Sequence, residues 1–293
     1  MYEWIISSQE TRSKLLTFLT IQLEGRYSAR YLKRAIENNC CMINGRTERF
    51  ATTLLGNADK VVLLLDETPP FQPSFQIDPS KIIYEDKDIF IYNKPSGIAC
   101  DENGILKILQ SYDPALHLVH RLDRDTTGVL ILVKNQESYL NFLNQFKQLQ
   151  IEKCYRAIAD GIIGTKEGIT DNYLGKKKVY SGQAIWGAIK TGGMRAITAW
   201  KTIKCEHQAT LLYCFPKTGR THQIRVHLTE MGHPILGDFQ YGKSFKCKYR
   251  PAHYLLHAEK IGFLHPKTGK MMIFEAKLSE DFLSAQKQLF GIL

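Results

Sequence analysis

At 293 residues the chain is too long for one small domain, and one large domain plus a small one is the arrangement its length favours. A formal charge of +10 at pH 7 and a pI near 9.1 favour an anionic partner, reached by steering and phosphate neutralisation, over the bland alternative of a basic surface that binds nothing. Seven cysteines, an odd number without any C-x-x-C pair, argue against a disulfide framework and a common structural zinc site, and fit a cytoplasmic protein.

The first residues, MYEWIISSQETRSK, lack a basic start followed by a long apolar stretch, so no secretory signal is expected; no run reaches membrane-spanning length. From Thr11 the apolar spacing predicts a helix, a polar turn at Gly25 and a second helix from Ser28, a suitable N-cap. CCMINGRTE predicts two short strands about Asn44-Gly45, because these residues accept the positive φ angles of a tight hairpin. KVVLLLDE supplies a further strand. TPPFQPSFQIDPS, with four prolines and little periodicity, reads as a linker, which divides the chain into residues 1–66, a linker over 67–80 and a larger domain over 81–293. Arg30, Lys33 and Arg34 share one face of the second helix, with Arg12, Lys14 and Arg26 also available. Such spacing suits a phosphate-binding surface and an ordinary solvated helix face equally.

After the linker, KIIYEDKDIFIYNKPSGIAC predicts two strands broken at Asp86-Lys87 and a turn over Pro95 to Gly97. GILKILQSY suits a short helix, and GVLILVKN a buried strand. A helix is expected over Glu137 to Leu149, with Tyr139, Phe142, Leu143 and Phe146 on its apolar face, leading into a strand that carries Tyr155. GTKEGITDNYLGKKKVYSGQAIWGAIKTGGMR is rich in glycine and lysine and reads as irregular connections or short mobile strands. Strands follow through Ala199 and over Leu211 to Phe215, then a turn over Pro216 to Gly219 and a helix within THQIRVHLTEMG. Two strands about HPKTGK and a short helix complete the chain. The larger domain is therefore strand-dominated, without the regular alternation of a doubly wound parallel sheet.

Nucleotide hydrolysis and dinucleotide chemistry lose their ordinary phosphate cradles, since neither a Gly-Lys-Ser/Thr loop nor G-x-G-x-x-G after a strand is present. His253, His257 and Glu259 have the wrong order for H-E-x-x-H and suit packing better than a metal; Cys205 with His207, and His222 with His227, are no stronger, so no metal is assigned. The stretch HLVHRLDRDTTGVLILVKN differs, because it crowds Asp123 and Asp125 beside Arg121 and Arg124 directly before a core strand. Neighbouring arginines favour an ionised carboxylate, which suits a nucleophile or base, and the strand can hold it rigid. Aspartates that merely cap a turn, with arginines paired to them, would give the same pattern.

HRLDRDTTGVLILVKN resembles the central motif of the RluA/RluD-type family of RNA pseudouridine synthases. YNKPSGI, KCYRAI, GRTHQIRVH and LLHAEKIGFLHPKTG resemble the family's other segments, in the same order, across nearly all of residues 80 to 293. YSARYLKRAIENNCCMINGR resembles an S4-type RNA-binding fold, departing from it where Asn39 replaces a usual glycine and Cys40 to Met42 replace a valine-rich strand.

The resemblance implies an α+β fold: a mixed, mainly antiparallel sheet in the catalytic domain, with a small α/β S4-like domain in front. It implies isomerisation of uridine to pseudouridine in RNA, with 23S ribosomal RNA expected ahead of transfer RNA, no cofactor and a monomeric enzyme. A binding or ribosome-assembly protein that keeps the fold without its chemistry is the alternative from another class, and a hydrolase using Asp123 and His120 is a third, lacking an evident oxyanion or metal partner. Asp123 takes the position of the catalytic aspartate, acting as nucleophile at the anomeric carbon or as base on a ribose proton. Arg225 takes that of its partner and Tyr155 that of the aromatic residue stacked on the target uracil, its hydroxyl assisting the carbon 5 proton. Arg121 corresponds to the residue that fills the space left by the flipped nucleotide. Lys94, Arg124, Lys153 and Arg220 are expected as substrate or site-organising contacts, Ile224 and Leu256 as the base pocket, and His120 and His222 as holders of loops. In the small domain Arg30, Lys33, Arg34, Asn44 and Arg46 are the expected RNA contacts.

Overall fold

The computed structural model describes residues 1–292 except 25, 28, 38, 66–76, 181, 182 and 243, and of 30, 34, 178–180 and 183 it describes the backbone alone. The turn at Gly25, the N-cap Ser28 and most of the expected linker therefore lie outside the described residues. The chain divides into two compact units, Met1–Phe75 with Val179–Gln183, and Gln76–Lys178 with Ala184–Leu293.

The first unit carries β1 (Tyr2–Ile5), α1 (Leu15–Gln22), α2 (Ala29–Glu37), β2 (Cys41–Ile43), β3 (Arg46–Glu48) and β4 (Lys60–Leu63). The strands form one antiparallel sheet in the order β1-β4-β2-β3. Leu15, Phe18, Leu19, Leu32, Ile36, Val61 and Leu63 are its buried centre. Strand β1 went unread in the sequence, its four residues being too few to show a period. Helix α1 begins at Leu15 rather than Thr11, because Glu10 accepts from the Ser7 amide and hydroxyl in a turn and Arg12 has φ 68°. Asn44 and Gly45, at φ 52° and 74°, make the expected hairpin turn. Asn39 has φ 68°, a left-handed conformation that asparagine tolerates, so the departure from glycine there is conservative in backbone terms.

The second unit carries β5 (Ile82–Glu85), β6 (Ile89–Lys94), α3 (Ile105–Gln110), β7 (His117–Leu118), β8 (Thr127–Val133), α4 (Gln136–Lys147), β9 (Glu152–Asp160), β10 (Glu167–Tyr180), β11 (Gln183–Ala188), β12 (Met194–Glu206), β13 (Ala209–Pro216), α5 (Gln223–Glu230), β14 (Leu256–Leu264), β15 (Met271–Glu275) and α6 (Glu280–Phe290). Its mainly antiparallel sheet runs β11-β10-β12-β13-β9-β14-β8-β6-β5, with β15 beside β14 and β7 beside β8. Strand β8 is buried at every step because both its faces are covered. Leu130 and Leu132 enter a core with Phe90, Tyr92 and the α3 residues Ile105 and Leu109, whereas Val129, Ile131 and Val133 enter another with Ile89, Ile91 and Phe142 of α4.

Strands β8 and β14 run parallel, Thr127 beside His257 and Gly128 beside Ala258. Gly128 has φ 111°, and a Cβ there would lie 2.1 Å from the Ala258 carbonyl oxygen, so the approach requires glycine. Two expectations are corrected. The segment read as irregular connections or short strands contains the 14-residue strand β10, paired with β12 from Glu167–Lys201 to Leu174–Met194, with the short strand β11 after it. Lysine and glycine weaken its intrinsic strand preference, and pairing with β12 overrides that. On α4, Tyr139, Phe142 and Phe146 pack inward but Leu143 is exposed. No helix among the described residues is long and apolar enough to cross a membrane.

Candidate active site

The connection from β7 to β8 carries Asp123 and is fixed from beneath by core atoms. His120 Nε2 accepts from the Ile131 amide at 2.9 Å, and burial, with Lys153 nearby, pushes this imidazole down to about 3, so it stays neutral. Asp123 O accepts from the Thr126 amide at 3.1 Å, closing a turn that delivers the chain into β8. Lys94 is fully buried, and its Nζ donates to the carbonyls of Pro95 at 2.7 Å and Arg124 at 2.8 Å. Burial pushes it down to about 8. The expectation that Lys94 meets substrate is corrected on that ground: it ties two loops together from inside the protein. Arg124 is outside the cleft lining, its carbonyl being the group that Lys94 holds.

Helix α5 supplies Arg225, which joins three partners. Nη1 donates to Asp123 Oδ2 at 3.2 Å, Nε and Nη2 to Asp238 at 2.7 and 2.9 Å, and Nη2 also to Gln240 Oε1 at 2.7 Å. The guanidinium lies over the rings of Tyr254, at 4.4 Å, and Tyr241, at 5.0 Å. Burial alone would ease its proton off, but the Asp238 carboxylate outweighs it and Arg225 is held well above the ordinary arginine value. Asp238 was not singled out in the sequence. A signal existed: a buried guanidinium needs a carboxylate, and Asp238 is the one acidic residue between Glu230 and Glu259.

Tyr155 enters from β9, between Cys214 of β13 and Ala258 of β14. Burial, then the Asp123 and Cys100 charges, push its phenol up, so the hydroxyl keeps its proton. Asp123, Tyr155, Ile224, Arg225 and Leu256 line one cleft of about 1260 Å³, above the roughly 300–1,000 Å³ of small-molecule sites. Arg121 lies exposed in its lining, which also includes Lys153 and Arg220. Lys153 Nζ donates to the carbonyls of Lys217 and Thr218 at 3.4 and 3.1 Å, and burial, then Arg220 and Lys217, push it down to about 8. Arg220 Nε donates to Arg195 O at 3.0 Å. Tyr139, Phe146 and Lys147 of α4 extend the lining and were not expected there.

The small unit's candidates are described by themselves. Lys33 pairs with Glu37 at 3.9 Å, Arg46 is exposed, and the side chains of Arg30 and Arg34 lie outside the described residues. Asn44 is exposed at the hairpin turn, where its Nδ2 donates to Asp59 Oδ1 and its Oδ1 accepts from the Lys60 amide. His257 bonds Thr127 Oγ1 and Ala276 O, Glu259 pairs with Arg156, and His253 with Asp281, so packing and ion pairing account for that trio. Asp86, Asp88 and His265 also approach one another, but His265 Nε2 bonds Asp86 at 2.9 Å and Asp88 bonds Asn135.

Residues 88–230 match the family model described as RNA pseudouridylate synthase. The chain is 32% identical over 288 residues to an uncharacterized RNA pseudouridine synthase of Aquifex aeolicus, covering 90% of each chain. It is 39% identical over 216 residues to the ribosomal large subunit pseudouridine synthase C of Buchnera aphidicola subsp. Schizaphis graminum, covering 69% of this chain and 68% of that one. Among solved structures, human RNA pseudouridylate synthase domain containing 4 superposes with a TM-score of 0.60 at 23% identity, over 72% of this chain and 94% of the other, a likeness of fold.

Proposed function

The chain belongs to the RNA pseudouridine synthase family, the RNA uridine isomerases, and from that premise we propose that it modifies large-subunit ribosomal RNA, with Asp123 as its catalytic carboxylate. The observation that carries the assignment is the Asp123–Arg225 pair, at 3.2 Å, opening onto the cleft that Tyr155 also lines. The name of the Buchnera relative supports the ribosomal substrate, and the basic charge of the chain supports binding to RNA. None of the seven cysteines is in a disulfide, which accords with a cytoplasmic enzyme.

The reaction breaks the bond from the ribose anomeric carbon to base nitrogen 1, forms one to carbon 5, and moves the carbon 5 proton to nitrogen 1. Atoms and charge balance without an oxidant or water. A stacked base hides the reacting carbons, so the nucleotide is extruded and Arg121 takes its place in the stack. Asp123 serves as nucleophile at the anomeric carbon or as base on the neighbouring ribose carbon, and both routes ask for an ionised oxygen held still. Arg225 holds Oδ2, and Oδ1 has no hydrogen-bond partner among the described residues. Tyr155 stacks on the uracil, Ile224 and Leu256 enclose it, and Lys153 keeps the 216–219 turn at its edge.

Purified protein incubated with unmodified total RNA is expected to create pseudouridine in 23S ribosomal RNA, mapped by carbodiimide chemistry. Asp123→Asn is expected to abolish conversion while leaving RNA affinity within a few fold. New sites confined to transfer RNA would replace the ribosomal assignment, and no new site in any RNA would favour a binding protein that keeps the fold.

A further inference from the structure

His222 stands at the N-terminal end of α5 with φ 56°, a backbone conformation that few residues with a side chain adopt, and it makes no capping bond. That geometry carries the imidazole into the cleft wall. Its Nδ1 lies 2.7 Å from the Tyr241 hydroxyl and its Nε2 lies 3.9 Å from Asp123 Oδ2. The Tyr241 oxygen accepts from the Trp186 amide of β11 at 3.2 Å. Among the described residues its own proton has one acceptor in reach, His222 Nδ1. An imidazole that accepts at Nδ1 carries its proton on Nε2, the nitrogen facing Asp123.

We propose that His222 is a positioning residue for Asp123: its Nε2–H, set by the hydrogen bonds from Trp186 through Tyr241, takes Oδ2 together with Arg225 and leaves Oδ1 to meet the ribose. The proposal rests on the reading of Asp123 as the reacting carboxylate. At 3.9 Å the contact is about 1 Å beyond a hydrogen bond, and such contacts commonly tighten only when substrate binds. Four groups face the ring. Burial, then Arg225, push His222 down to about 4, against the pull of Asp123 and Asp238, while Tyr241 donates to it. A neutral donor steadies the carboxylate without adding a second full positive charge beside Arg225, so the free oxygen keeps its reactivity. Because the chain starts at a backbone amide, the side chain at position 186 is not part of it.

The test has two arms. With nitrogen-15 labelled histidine, the His222 resonances of the intact protein are expected to report the Nε2–H tautomer from pH 8 to pH 5.5. An Nδ1–H tautomer, or an imidazolium at pH 6, overturns the proposal. In single-turnover reactions on 23S ribosomal RNA, His222→Asn keeps the left-handed backbone and an acceptor for Tyr241 but stops short of Asp123. It is expected to slow conversion roughly 10- to 100-fold with RNA affinity within twofold. His222→Gln extends an amide donor to the Nε2 position and is expected to recover most of the rate. A His222→Asn rate equal to wild type, or equal losses in both variants, overturns the proposal. A wild type inactive on every RNA counts against the proposed function instead, whereas an Nδ1–H tautomer, read without substrate, counts against the positioning of Asp123 by His222 alone.

Discussion

Asp238 holds Arg225 through both Nε and Nη2, at 2.7 and 2.9 Å, whereas Asp123 receives Nη1 alone at 3.2 Å. One guanidinium thus serves two carboxylates unequally: a nearly inaccessible one that anchors it and a half-exposed one that faces the cleft. The short bonds fix the fork before it reaches Asp123, so the proposed reacting carboxylate is oriented without being locked. Asp238→Asn keeps the shape and removes the anchoring charge. It is expected to lower the single-turnover rate by about 100-fold or more and to reduce stability by roughly 3 kcal/mol, because a buried arginine loses its main partner. Mass-spectrometric conversion assays and thermal melts check both; a rate near wild type would remove Asp238 from the site.

The Tyr155 phenol is pushed up by burial and by Asp123, which makes it a hydrogen-bond donor and a poor base at neutral pH. Tyr155→Phe keeps the ring for stacking and loses the donor. RNA binding is expected to stay within a few fold while completion of the isomerisation slows roughly 10- to 100-fold. Filter binding and release of tritium from carbon 5 separate the two effects, and an equal loss in both would make the hydroxyl a binding group.

Gly128 lets β14 run beside β8 with no room for a side chain. Gly128→Ala sets a methyl against the Ala258 carbonyl and strains a backbone at φ 111°. The two effects together are expected to cost roughly 3 kcal/mol or more, lowering Tm by about 10 °C. A melt within 2 °C of wild type, on the order of the error of such scans, would show that the strands can part to admit the methyl.

Four histidines are held neutral by burial: His120 down to about 3, and His222, His227 and His257 each down to about 4. In the unfolded chain each binds a proton as pH falls through about 6.5. The unfolded state therefore gains protons that the folded state refuses, and stability is lost as pH drops from about 6.5 towards 4. The expected slope is up to about 1.4 kcal/mol per pH unit for each histidine, measured by urea unfolding at pH 7, 6 and 5. A flat profile over that window would mean that these imidazoles open to solvent in the native state.

The lesson of the sequence is local. The Asn44-Gly45 hairpin, the buried strand β8, the turn over Pro95 to Gly97 and helix α5 are each encoded within a few residues, so turn chemistry and apolar runs announced them. The H-R-L-D, K-x-Y and Q-I-R segments likewise marked Asp123, Tyr155 and Arg225, which the fold places around one cleft. Tertiary structure decided what depends on register between distant strands. Pairing with β12 turned a lysine- and glycine-rich segment into β10, burial behind the Asp123 loop made Lys94 a tie rather than a substrate contact, and the path after α5 carried Asp238 and Tyr241 back to Arg225 and His222. A side chain's neighbours across 13 to 102 residues of sequence are set by which strands share hydrogen bonds and by what must be kept from water, and no local pattern records either.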